Sequence, residues 1–193
     1  MTKRPVFQAC CCLNRLLFEL TMQNHFDLFQ LPQQFTLDAN ALDAAFHEVQ
    51  GRVHPDKFVS ASDAEKRVAM QWATRANEAY QTLKNPLKRA AYLCELNGID
   101  LQTESNTAMP AAFLMQQMEW REALDDAKAA KDLAALYLID AELRAVRKAQ
   151  VAQIGSALDS ADFAQAALGV RQLMFLEKFG HEIGDAFALL EAD

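Results

Sequence analysis

The amino-acid sequence predicts an all-α protein built of two helical units. Apolar residues recur at spacings of three and four along most of the chain, the period of one face of a helix. Gly and Pro are scarce, six and five in 193 residues, while 51 % of residues are hydrophobic, enough to bury a core. Capping and stop residues punctuate the periodic segments at their ends.

Residues 1–23 fit this pattern poorly. Lys3 and Arg4 precede a mildly apolar stretch that Asn14, Arg15 and Glu19 interrupt. The expectation is a leader outside the fold, disordered or loosely helical, with Met22 as the native start. A degenerate targeting segment is the alternative.

From Asn24 the pattern becomes regular. Asn24 caps a short helix that Pro32 stops, with Phe26, Phe29 and Leu31 as its packing residues. Asp38 caps the next, in which Leu42, Ala45, Phe46, Val49 and Val53 share a face. Gly51 loosens its last turn. Ser62-Asp63-Ala64-Glu65 reads as a capping box. It opens a helix that carries Ala69, Trp72, Ala76, Ala79, Tyr80 and Leu83 to about Lys84. Pro86, at a first helical position, starts a fourth helix that Asn97-Gly98 ends. Polar residues from Gly98 to Met109 read as a connector. Three longer helices follow: one opened by Pro110, one from about Lys131 to Ile154 that ends at Gly155, and one from Ser160-Ala161-Asp162 to Phe179 or beyond. Short links between them imply an antiparallel three-helix bundle. The expected division is 24–97, a connector at 98–109, and 110–193.

The formal charge of −7 is uneven. Residues 24–97 hold eight Lys/Arg and nine Asp/Glu, but residues 109–193 hold eight and fourteen. No basic stripe exists to attract nucleic acid or an anionic membrane, and no apolar run reaches spanning length. Cys10, Cys11 and Cys12 are contiguous and Cys94 stands apart, with no Cys-x-x-Cys pair. No metal or other cofactor is expected, and the composition suits a reducing compartment.

The stretch Arg52-Val53-His54-Pro55-Asp56-Lys57-Phe58 links the two main helices of the first unit. Two amphipathic helices with a short polar link fold back as an antiparallel hairpin. Pro55 cannot continue either helix and pushes His54 out of helical geometry. His54 and Asp56 are therefore expected in solvent at a stiffened tip. A catalytic His–Asp pair is the rival reading, but the intervening proline and the exposure argue against a dry pocket. No nucleophile elbow, phosphate-binding loop or metal-ligand cluster accompanies them.

The first long helix of the second unit has more apolar surface than one stripe requires. At about 100° per residue, Phe113, Gln117, Trp120, Leu124 and Ala127 share the core face. Leu114, Met115 and Met118 point elsewhere, beside Glu119, Arg121 and Glu122. In the last helix Phe163, Ala166, Ala167, Val170, Leu173 and Met174 form the core stripe, and Phe175 projects off it. Surplus Leu, Met and Phe beside carboxylates suits a protein-binding patch. Spacing alone fits equally well a face packed against the first unit.

His54-Pro55-Asp56 on such a hairpin resembles the J-domain of DnaJ-type co-chaperones, whose loop docks on a DnaK-like chaperone and accelerates its ATP hydrolysis. The wider chain, over about residues 24–190, resembles the HscB family of J-proteins. Asn-x-Ala-Tyr-x-Thr-Leu (77–83), Arg-Ala-x-Tyr-Leu (89–93) and Phe-Leu-Met-x-Gln-Met-Glu (113–119) carry that resemblance. It implies a non-enzymatic co-chaperone of iron–sulfur cluster assembly, with a J-domain co-chaperone for a different client protein as the alternative. A cluster-assembly co-chaperone of this kind binds an IscU-type cluster scaffold through its C-terminal domain and delivers it to an HscA-type chaperone. The implied chaperone-binding residues are Arg52, His54, Pro55, Asp56 and Lys57. The implied scaffold-binding residues are Leu114, Met115, Met118, Glu119, Glu122 and Phe175, with Arg121 a weaker candidate. The implied setting is the bacterial cytoplasm, with the mitochondrial matrix as alternative. Two departures bear on docking strength and its salt dependence. Val53 stands where J-domains usually carry an aromatic residue, and Asp43 and Glu48 dilute a helix that is usually basic.

Overall fold

The computed structural model describes residues 24–58, 61–101 and 109–191, the side chains of Pro55 and Asp56 excepted; the leader at 1–23 lies outside them. Among the described residues all regular structure is helical. Two compact units divide after Asn85.

In the first unit, α1 (His25–Leu28) opens with a reciprocal cap between Asn24 and Asp27. It ends before Pro32, because Gln30 turns left-handed at φ 53°. Phe26, Leu28 and Phe29 are buried. Asp38 accepts from the Asn40 amide at 2.9 Å and starts α2 (Ala39–Val53). Ser62 and Glu65 form the expected capping box at the head of α3 (Asp63–Lys84). Residues near the start of α2 meet residues near the end of α3, so the two helices are antiparallel. Phe46 stacks on Tyr80 with centroids 4.2 Å apart, and Phe29 meets Phe46 edge-on at 6.4 Å. The buried side of α3 is mostly alanine, Ala69, Ala76 and Ala79, with Leu83; small side chains let neighbouring helices approach closely.

The second unit contains α4 (Pro86–Leu96), α5 (Ala111–Ala130), α6 (Leu133–Asp159) and α7 (Phe163–Glu191). From sequence α4 is expected with the hairpin, but it packs against α6 and α7 and buries Ala90, Leu93 and Cys94. Helix α6 does not end at Gly155. That residue is buried inside the helix, Ala157 continues the buried face, and the turn comes at Ala161, left-handed at φ 58°. Asp162 accepts from the Gln165 amide at 3.1 Å as α7 begins.

Helices α6 and α7 run antiparallel. Arg147 pairs with Glu177, Gln150 donates to the Gly169 carbonyl at 3.3 Å, and Tyr137 meets Phe187 at 4.8 Å. A Cβ at Gly169 would lie 2.8 Å from Ile154 Cγ1, so this close crossing requires glycine. Leu124, Leu136, Leu143, Ile154, Leu173, Leu176 and Ile183 form the core. Each buried aliphatic side chain of this size contributes about 1.5–3 kcal/mol of transfer free energy.

Candidate functional site

The first candidate region is the tip of the hairpin. His54 ends α2 in extended geometry, φ −59° and ψ 129°, as expected for a residue before proline. Residues Pro55–Phe58 make one turn of 3-10 helix. The turn is closed by the Lys57 amide, which donates to the His54 carbonyl at 3.0 Å, and it packs on α3. Phe58 is half-buried, while Arg52, His54 and Lys57 are exposed. Arg52 pairs with Glu48 one turn earlier, both groups well solvated. Such a pair is worth about 0–1 kcal/mol and exchanges readily for an external anion. The side chains of Pro55 and Asp56 lie outside the described residues.

The acidic residues that dilute α2 have local partners. Asp43 accepts from the Tyr80 hydroxyl at 2.7 Å, and Lys84 approaches both. The Tyr80 hydrogen bond, helped by Lys84, holds the Asp43 carboxyl below the usual carboxylate range. The same hydroxyl, with Asp43, holds Lys84 above the usual ammonium range.

The second candidate region lies on α5 and α7. Phe113 meets Phe175 edge-on at 6.5 Å, Trp120 stacks on Phe179 at 5.7 Å, and Arg121 Nε lies 3.8 Å from Glu182. Residue numbers rise together in these pairs, so α5 and α7 run parallel. Above this seam Leu114, Met115 and Met118 stand in solvent, Met118 at 68 % of its full exposure, beside exposed Glu119, Arg121 and Glu122. Phe175 is 37 % exposed. The structure thus brings Arg121 and Phe175 to one seam, where they meet Glu182 and Phe113, with Leu114, Met115, Met118, Glu119 and Glu122 exposed on α5.

Sequence periodicity misplaces one residue here. Met174, expected in the core stripe of α7, is 37 % exposed. Helix α4 has 11 residues against 29 in α7, so it covers only part of that stripe. Periodicity reports a face, but not how far its covering helix reaches.

The HSCB C-terminal oligomerisation domain family matches residues 109–184. The co-chaperone protein HscB homolog of Burkholderia mallei (strain SAVP1) is 58 % identical over 168 residues, covering 87 % of this chain and 96 % of that protein. This chain belongs to the HscB family of co-chaperones. The HscB homolog of Burkholderia thailandensis is 59 % identical over the same length. Among solved structures, chaperone HscB from Vibrio cholerae superposes with a TM-score of 0.82 at 40 % identity, covering 86 % of this chain and 99 % of that one. Human co-chaperone HscB superposes at 0.80 with 29 % identity, covering 84 % and 81 %. The HscB architecture is the all-α one described above: an N-terminal J-domain, whose hairpin carries the His-Pro-Asp loop, followed by a C-terminal helical domain. No described helix is long and apolar enough to cross a membrane.

Proposed function

We propose that this co-chaperone binds an IscU-type iron–sulfur cluster scaffold and delivers it to an HscA-type chaperone, stimulating that chaperone's ATPase in the bacterial cytoplasm. The reading takes residues 24–97 as the J-domain, with its last helix, α4, packed on α6 and α7, 98–109 as connector and 110–193 as the scaffold-binding domain. One observation carries it above the others. Large apolar side chains stay in solvent on α5 and α7, at the positions that the family resemblance assigns to scaffold binding.

Arg52, His54, Pro55, Asp56 and Lys57 dock on the chaperone. His54 supplies hydrogen bonding and loop geometry, and Asp56 pairs with a cationic group on the ATPase. Neither transfers a proton in the reaction. Docking favours the hydrolysis-competent state of the ATPase by binding it more tightly than the resting state. Leu114, Met115, Met118, Glu119, Glu122 and Phe175 hold the scaffold. Carrying both activities on one chain raises the effective concentration of scaffold at the chaperone.

The test is a titration of chaperone ATPase rate with this protein and the scaffold, separately and together. The expected result is a combined rate above the sum of the separate effects. Strictly additive rates would show that the chain does not bridge the two, and stimulation without scaffold dependence would point to another client.

A further inference from the structure

We infer that Met174 and Lys178 of α7 belong to the client-binding face, and that its two rims carry opposite charge. This rests on the α5–α7 face being the client site, as proposed above.

The parallel register set by Phe113–Phe175 and Arg121–Glu182 puts Met174 level with Leu114 and Lys178 level with Met118. On α5, Leu114, Met118 and Arg121 follow spacings of four and three, so they form one ridge. The Arg121 contact with Glu182 turns that ridge toward α7. On α7, Met174, Lys178 and Glu182 are spaced by four and form a ridge that starts at the seam at Glu182 and winds onto the exposed surface beside it. Met174 and Lys178 are exposed. The apolar strip therefore does not stop at Phe175 but continues across the seam to Met174.

The charges flanking the strip differ by side. On the helical wheel, at about 100° per residue, Glu122 and Glu119 lie beyond Met118 on the side of α5 away from α7. Lys178 lies on the α7 side, while Arg121 is held by Glu182. A complementary partner presents an apolar ridge with cations along the edge over α5 and a carboxylate along the edge over α7. Opposite rims suppress the reversed orientation, since turning the partner around places like charges together.

Isothermal titration of the full chain with the cluster-free scaffold protein tests this. Met174→Ala is expected to weaken binding roughly fivefold to tenfold, the range of a contributing interface residue. Lys178→Glu is expected to weaken it by a similar factor at low salt and less at high salt, with Lys178→Arg close to the parent. Thermal unfolding of each variant confirms that the helix is intact. If Met174→Ala and Lys178→Glu stay within about twofold of the parent while Leu114→Ala and Met118→Ala lose affinity, the extension across α7 is wrong and the α5 site stands. If none of the four variants weakens binding, the site reading fails with it.

Discussion

The hairpin tip and the α5–α7 face are built by opposite means. At the tip a backbone constraint presents the residues: Pro55 ends α2, His54 is left extended, and one 3-10 turn packed on α3 holds the link. Among the tip's described side chains, Arg52, His54 and Lys57 are exposed. On α5 and α7 the backbone is regular helix throughout, and large apolar side chains left exposed outside the core create the surface. Under the proposed function, the first kind of site, small and set by the backbone, trips a switch in one partner. The second, broad and built of adaptable side chains, grips another.

If that contrast is right, the two activities separate cleanly by mutation. His54→Gln should abolish ATPase stimulation while leaving scaffold affinity and thermal unfolding unchanged, because an exposed residue at a helix end carries little packing. Loss of both activities would show that the two sites are not independent. The face, unlike the tip, depends on what lies beneath it. Trp120 is buried against Phe179, so Trp120→Ala should cost about 3–5 kcal/mol in denaturant unfolding and weaken scaffold binding as well. Met118→Ala, at a largely exposed position, should cost about tenfold in scaffold affinity with no change in unfolding midpoint. A shifted midpoint would mean that Met118 is a packing residue.

Smaller effects probe the hairpin itself. The Asp43 carboxyl is held low by Tyr80, so its stabilising contribution is present above the usual carboxylate range and is lost as pH falls through the folded value. Tyr80→Phe removes the main cause, and the acid limb of unfolding, followed by circular dichroism, should move to higher pH. At the alkaline end Lys84 is held high, so its contribution is present below the usual ammonium range and fades as pH rises through the folded value. An acid limb that stays in place would show that the hydroxyl is not coupled to Asp43. The smallest effect is expected at Gly51, which sits inside α2 with open space where a Cβ would go. Gly51→Ala should stabilise by about 0.5–1 kcal/mol. Reduced ATPase stimulation in that variant would mean that the last turn before the loop must yield during docking.

The same contrast explains what was legible in the sequence. A proline after a histidine at a helix end is a local rule, so the extended, exposed His54 could be read from a few residues. The caps at Asp38 and Ser62–Glu65 were legible for the same reason. Surplus apolar positions on α5 also showed, since a periodic face has a fixed width. What failed was anything set by a neighbour. Gly155 is a stop signal in isolation, but buried packing on either side of it carries α6 onward. Helix α4 looks like the last piece of the hairpin because it follows at once, yet its apolar face is matched by α6 and α7. Met174 shares the spacing of a core stripe yet is exposed, because spacing defines a face and not how much of it a neighbour covers.

The missing side chain at Gly169 has a further consequence. It lies on the same continuous rod as Met174, Phe175 and Lys178, and its tight seat against Ile154 fixes the rotational phase of that rod. A side chain there would collide with the side chains of Ile154 and Gln150, and any shift of α7 that relieved the collision would move Phe175 relative to Phe113. Under the proposed function, drift at this silent, solvent-free position detunes client binding without altering any residue of the proposed client face.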